Sequence, residues 1–235
     1  MKNIIKNTKK TIAITLSLLF VLNLQAQVPT GENLDFSTGG YQFWQAKTGT
    51  YNGTSSQPIF NWTTSLPDPT QASDAGGRLF EVFNSGTDSY SAGQLSRVPE
   101  GFTHASQINN AYGGTNCSQL QYTMEVNLEN CLLTFMYAMV LESPTHTGYQ
   151  NPTLQIDVMR HSPDNGMMLE ELVDPCAFFE KTSTAQLPSL EPTVWHTSAT
   201  NSGWIWSNWQ QIKINLARYV GDRITIRVRL GDCEP

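Results

Sequence analysis

Hydrophobic and polar residues alternate one by one along several stretches of the chain. In 119–126, Leu120, Tyr122, Met124 and Val126 share one side. Leu154, Ile156 and Val158 do so in 153–159, and Ile212, Ile214 and Leu216 in 210–216. The clearest case is 223–230, where Ile224, Ile226, Val228 and Leu230 oppose Arg223, Thr225, Arg227 and Arg229. A period of two predicts strands with one buried and one wet face. The run 131–142 (CLLTFMYAMVLE) is apolar on both sides and predicts a central strand. Further strand-like runs occupy 78–84 and 172–180. No long stretch carries a 3.6-residue apolar stripe, although 216–220, before Gly221, has room for one helical turn. Many short strands punctuated by Gly and Pro predict an all-β fold: two antiparallel sheets packed as a sandwich or jelly roll. Segments 48–76 and 99–116 predict long loops, the place where binding sits on a rigid sandwich.

The N-terminus departs from this pattern. Met1 to Lys10 is basic, and Thr11 to Leu24 (TIAITLSLLFVLNL) is an apolar stretch of 14 residues ending at Leu24-Gln25-Ala26. This is the layout of a secretory signal peptide over 1–26, with 27–235 as one β-sandwich domain. The apolar stretch is short of the roughly 20 residues that span a bilayer, and no later segment predicts a transmembrane span. The chain has 235 residues, 14 Lys and Arg, and 20 Asp and Glu. Four of those bases lie in the leader, so the mature part carries a charge of −10. That balance disfavours a nucleic-acid partner, because phosphate neutralisation needs surplus base. The expected location is extracellular or the outer cell surface, with the periplasm as the alternative. The four cysteines, Cys117, Cys131, Cys176 and Cys233, form no CxxC and favour disulfides over zinc in an exported chain.

Candidate chemistry is sparse. No GxSxG, HExxH or phosphate-loop motif occurs, and the four histidines (His104, His146, His161, His196) stand apart. The expectation is a non-catalytic protein. Glu170 and Glu171 are neighbours and would point to opposite faces of a strand, which makes them a poor hydrolytic pair. Glu142 and His146 flank Pro144. They either line a groove at a strand exit or bond loop backbone around a proline turn, and the turn explains the segment without a ligand. Six Trp invite a carbohydrate-binding reading. Most Trp in sandwiches are core residues. Trp62, Trp204 and Trp206, set among Gly, Ser, Asn and Thr, are the candidates for exposure.

Three stretches together resemble a known family. They are Asn33-Leu34-Asp35-Phe36 with Trp44; Tyr137 to His146 followed by Asn151-Pro152; and Trp209 to Leu216, Tyr219 to Ile226 and Asp232-Cys233. They resemble the N-terminal jelly-roll-like β-sandwich domain of large secreted and cell-surface proteins of Bacteroidota. Those proteins continue into PKD or other immunoglobulin-like repeats, adhesin regions and a type IX sorting domain. The resemblance implies an adhesin-like context, a disulfide between Cys176 and Cys233, and possible structural calcium on Glu32, Asn33, Asp35 and Asp232. It also implies a final Gly-rich, aromatic strand and downstream domains, which are absent before Pro235. The expected function is binding of a polysaccharide or other cell-surface polymer, or a structural part of a larger adhesin. The alternatives are an accessory domain of a secreted hydrolase and a truncated remnant without activity of its own.

Overall fold

The computed structural model describes residues 31–112, 114–142, 146–161, 178–232 and, as backbone, 168–173. In chain order the strands are β1 (Trp44–Tyr51), β2 (Phe60–Leu66), β3 (Ser73–Asp74), β4 (Gly77–Arg78), β5 (Phe80–Phe83), β6 (Ala105–Ile108), β7 (Asn116–Glu125) and β8 (Leu132–Tyr137). They continue as β9 (Val140–Glu142), β10 (Thr153–His161), β11 (Met168–Val173), β12 (Phe179–Thr182), β13 (Trp195–Thr197), β14 (Trp204–Ser207), β15 (Gln210–Asn215) and β16 (Arg223–Gly231). The fold is an antiparallel β-sandwich. Its main sheet runs β11–β10–β16–β7–β1–β2, with β12 also on β10.

The alternating segments build this sheet as expected. Cross-strand rows Ala46–Leu120–Val228–Ile156 and Trp44–Tyr122–Ile226–Val158 face inward and are all buried. Each buried Val, Leu or Ile in these rows contributes about 1.5–3 kcal/mol through the apolar area it removes from water. The second layer is assembled from β13–β14–β9, β15–β8 and β5–β6. Leu133, Leu141, Ile205, Ile214 and Phe80 close the core from that side. One 3-10 turn at Ala217–Tyr219 sits where a helical turn was expected.

Several expectations are corrected. The run 131–142 is not a central strand. It is β8 and β9, paired on one edge only among the described residues and broken at Ala138–Met139, with Leu132 64% exposed. Nor do β7 and β8 form the hairpin that their closeness in sequence suggests. Asn127 Oδ1 accepts from the N–H groups of Glu129 and Asn130, while Asn130 bonds back to Glu125 O and Asn127 N. These side-chain turns redirect the chain into the other layer. Segments 48–76 and 99–116 are not simply loops: they hold the end of β1, all of β2 and all of β6. Polar Thr, Ser and Asn on the wet faces hid these strands.

Cys117 and Cys131 are free thiols, one in β7 and the other past its far end, so no bridge joins them. Cys176 and Cys233 lie outside the described residues. Burial pushes the Cys117 thiol up to about 12. Burial also raises the phenols of Tyr41 and Tyr122 well above their ordinary range. These groups stay neutral in the fold and ionise more readily in the unfolded chain. Their stabilisation is therefore complete below pH 9 and is lost as pH rises toward the folded values. The thermal midpoint is expected to fall between pH 9 and pH 12. Cys117→Ala should remove the earliest part of that fall, leaving the tyrosine part that begins near the ordinary phenol value of 10.0. Calorimetry across this range checks it.

Candidate functional site

The inner face of the main sheet is apolar; its outer face is a field of hydrogen-bonding groups. Because side chains alternate, the residues between the core rows form rows of their own. One is Lys47–Gln119–Arg229–Gln155–Glu180, and the next is Gln45–Gln121–Arg227–Asp157. The amides form a relay: Gln119 Nε2 donates to Gln121 Oε1 at 2.8 Å, and Gln121 Nε2 to Gln45 Oε1 at 2.8 Å. The relay runs from buried Gln119 to exposed Gln45.

Asp157 is fully buried and holds two arginines. Arg227 Nε donates to its Oδ1 at 2.6 Å, and an Arg229 terminal nitrogen binds its Oδ2. Burial pulls the Arg229 guanidinium below its usual range; Asp157 opposes this and Arg227 adds to it. Glu180 takes hydrogen bonds from Gln155 Nε2 and Tyr149 Oη, both at 2.6 Å. Each central carboxylate is thus engaged by two donors.

An aromatic platform borders this field on the β2 side. The rings of Phe60 and Trp62 stack at 5.5 Å with only 7° between their planes. Tyr51 supports Phe60 at 5.2 Å. A Cβ at Gly231 would run into the Tyr51 ring, so glycine lets that ring lie flat against β16. The Arg229 guanidinium lies 5.3 Å over the Phe60 ring, and its buried Nε finds no hydrogen-bond partner. A buried donor without a partner costs about 1–3 kcal/mol. Here it sits between the platform and the amide relay. Planar rings beside a row of amides, a guanidinium and an ammonium can stack on a flat apolar ring face and bond the hydroxyls at its rim.

Of the residues singled out in the sequence, only Trp62 lies on this face. Trp204 and Glu142 are cross-strand partners in the second layer, where the Trp204 ring packs 4.1 Å from Tyr90. Trp206, expected to be exposed, is 5% accessible, and its ring lies 4.3 Å from that of His196. The His146 carbonyl accepts from Asn151 Nδ2, and Glu142 is exposed at the end of β9. Pro144 between them lies outside the described residues.

The proposed calcium donors do not converge. Asn33 Oδ1 accepts from Thr38, its Nδ2 donates to Gly40 O and Gln42 O, and Asp35 accepts from Ser37 N. The Glu32 carbonyl accepts from Tyr122 Oη, near one end of β7. Asp232 N bonds Asn116 O at the other end, six residues or roughly 20 Å away. The first and last described strands are not neighbours: β7 lies between β1 and β16. Among the described residues no cluster of three His, Cys, Asp or Glu could hold a metal. Glu170 and Glu171 lie in β11, which is described as backbone only.

Sequence reasoning missed Gln45, Gln119, Gln121, Asp157, Arg227 and Arg229. Their signal was the wet half of each alternating pattern: Gln119 with Gln121, and Arg227 with Arg229, at a spacing of two. No helix among the described residues is long and apolar enough to cross a membrane.

No family model matches the chain, and no curated protein is significantly similar to it. One solved structure is similar, described under the heading "Structural basis for the promiscuous specificity of the carbohydrate-binding modules from the beta-sandwich super family". It shares 10% identity and a TM-score of 0.39, over 85% of this chain and 54% of its own, so the chain spans about half its length.

Proposed function

We propose that the chain is a non-catalytic glycan-binding module of an exported, surface-displayed protein, with its ligand lying across the outer face of the main sheet. The observation that carries this reading is the Phe60–Trp62 platform with half-buried Lys47 and Gln121 and exposed Gln45 on the same face of the sheet. A pyranose ring offers an apolar C–H face and a rim of hydroxyls, and this face holds a partner for each. Two observations support binding as the reading: Asp157 is inaccessible and held by two arginines, and Glu180 is engaged by Gln155 and Tyr149. The basic and apolar leader supports export, and the resemblance to surface-protein domains supports an adhesin-like setting.

The test is isothermal titration of the folded protein against a panel of soluble polysaccharides. Trp62→Ala is expected to weaken binding about fivefold, because stacking of this kind contributes on the order of 1 kcal/mol. Trp62→Phe should retain most of the affinity. Trp62→Ala also loses its stacking on Phe60 and lowers the thermal midpoint by a few degrees, so both variants are titrated at a temperature where they are fully folded. A folded protein that binds none of the panel would retire the proposal.

A further inference from the structure

The outer face of the main sheet carries a definite sign of charge around Trp62. Trp62 is the cross-strand partner of Gly49, and Lys47 lies two residues from Gly49 along β1, about 7 Å away on the same face. Gly49 puts no side chain between them, and a Cβ there would run into the Asn61 carbonyl. Lys47 is half-buried, and no carboxylate among the described residues pairs with it. In the next row the amide relay ends at exposed Gln45, whose Oε1 accepts from Gln121 and whose Nε2 is the last donor. Arg229 stands in the same row as Lys47, two strands away at about 10 Å, with Gln119 between them.

The carboxylates of this face and its rim are engaged or distant. Asp157 is held by Arg227 and Arg229, and Glu180 by Gln155 and Tyr149. Asp68, just past β2, accepts from the Thr70 N–H and hydroxyl, and Asp74 accepts from Asn110 and Asn116. Glu125 is six residues along β7 from Gln119, roughly 20 Å away. Over the two central rows Lys47, Arg227 and Arg229 outnumber Asp157 and Glu180 by one, so this spot is positive in a chain that is acidic overall. A sugar hydroxyl both donates and accepts, whereas an ionised acid group only accepts. Donors and an ammonium without a carboxylate partner, set beside a stacking ring, therefore match an anionic rim. Hydrogen bonds to such a rim are charge-assisted, about twice as strong as neutral ones.

Resting on the glycan-binding reading of this face, we propose that the ligand is an acidic glycan: a pyranose stacked on Trp62, with a carboxylate or sulfate oxygen taken by the Lys47 ammonium and the Gln45 amide. Lys47 then sets specificity for charge, while Trp62 supplies affinity for the ring. The test is isothermal titration of the full chain with two matched pairs of polymers. One pair is polygalacturonate and its carboxyl-reduced form; the other is a sulfated galactan and its desulfated form. In at least one pair the charged member is expected to bind at least fivefold more tightly, and the pair that shows this tells a carboxylate ligand from a sulfate. Lys47→Gln should bring the two members to equal affinity, and Lys47→Arg should keep the preference; both replacements retain a long polar side chain at a partly exposed position. Trp62→Ala should weaken both members by the same factor. Equal affinity within both pairs, tighter binding of the neutral members, or a preference that survives Lys47→Gln overturns the proposal and leaves glycan binding standing. Binding of none of the four polymers overturns it as well, and glycan binding itself is refuted only when the wider polysaccharide panel also fails.

Discussion

Replacing Asp157 by alanine is expected to destabilise the fold by about 3–5 kcal/mol, the cost of leaving buried charge without its partner. Asp157 is inaccessible, and the side chains of Arg227 and Arg229 are only 13% and 16% accessible. Removing the carboxylate leaves two guanidinium groups side by side in the centre of the sheet. Urea denaturation reads the loss as a lower midpoint with an unchanged slope. Asp157→Asn keeps an acceptor and should cost less. Adding Arg229→Leu to Asp157→Ala should recover part of the loss, because one uncompensated charge is then gone. A loss below about 1 kcal/mol, the ordinary range of an exposed pair, would show that water reaches this carboxylate.

Trp44→Ala is expected to cost a similar amount, about 3–5 kcal/mol. Trp44 is 2% accessible; Phe36 stacks on it at 4.9 Å and Tyr122 tilts against it at 5.1 Å. Its indole N–H donates to the Asn33 carbonyl at 3.0 Å. This one side chain ties the segment before β1 to the core. Trp44→Phe fills most of the volume but loses that hydrogen bond, so about 1 kcal/mol is expected instead. Equilibrium unfolding of the two variants separates packing from hydrogen bonding.

The Asn33–Phe36–Trp44 pattern was visible in the sequence, and the structure supplies its physical meaning as a stacked and hydrogen-bonded entry to the sheet. The inward rows of β7, β10 and β16 were equally plain, because apolar alternation reports which side of a strand meets the core. Alternation is silent about which strands pair. The neighbours β7 and β8 are not a hairpin, because the turns at Asn127 and Asn130 send the chain into the other layer. Alternation is also silent about what happens on the polar side. Arg227 and Arg229 read as wet residues opposite Ile226 and Val228, yet they bind a buried aspartate beside Phe60. Trp206 misled for a related reason. Polar neighbours in sequence predicted exposure, while its cross-strand partner His196 covers it.

The position of β16 has a consequence for how the molecule is made. This strand is translated after every other described strand, yet it lies between β10 and β7 and hydrogen-bonds both. Until it emerges, the two halves of the main sheet have nothing to join them. A nascent chain lacking it cannot close the main sheet, so this sheet forms only after the last described strand is available.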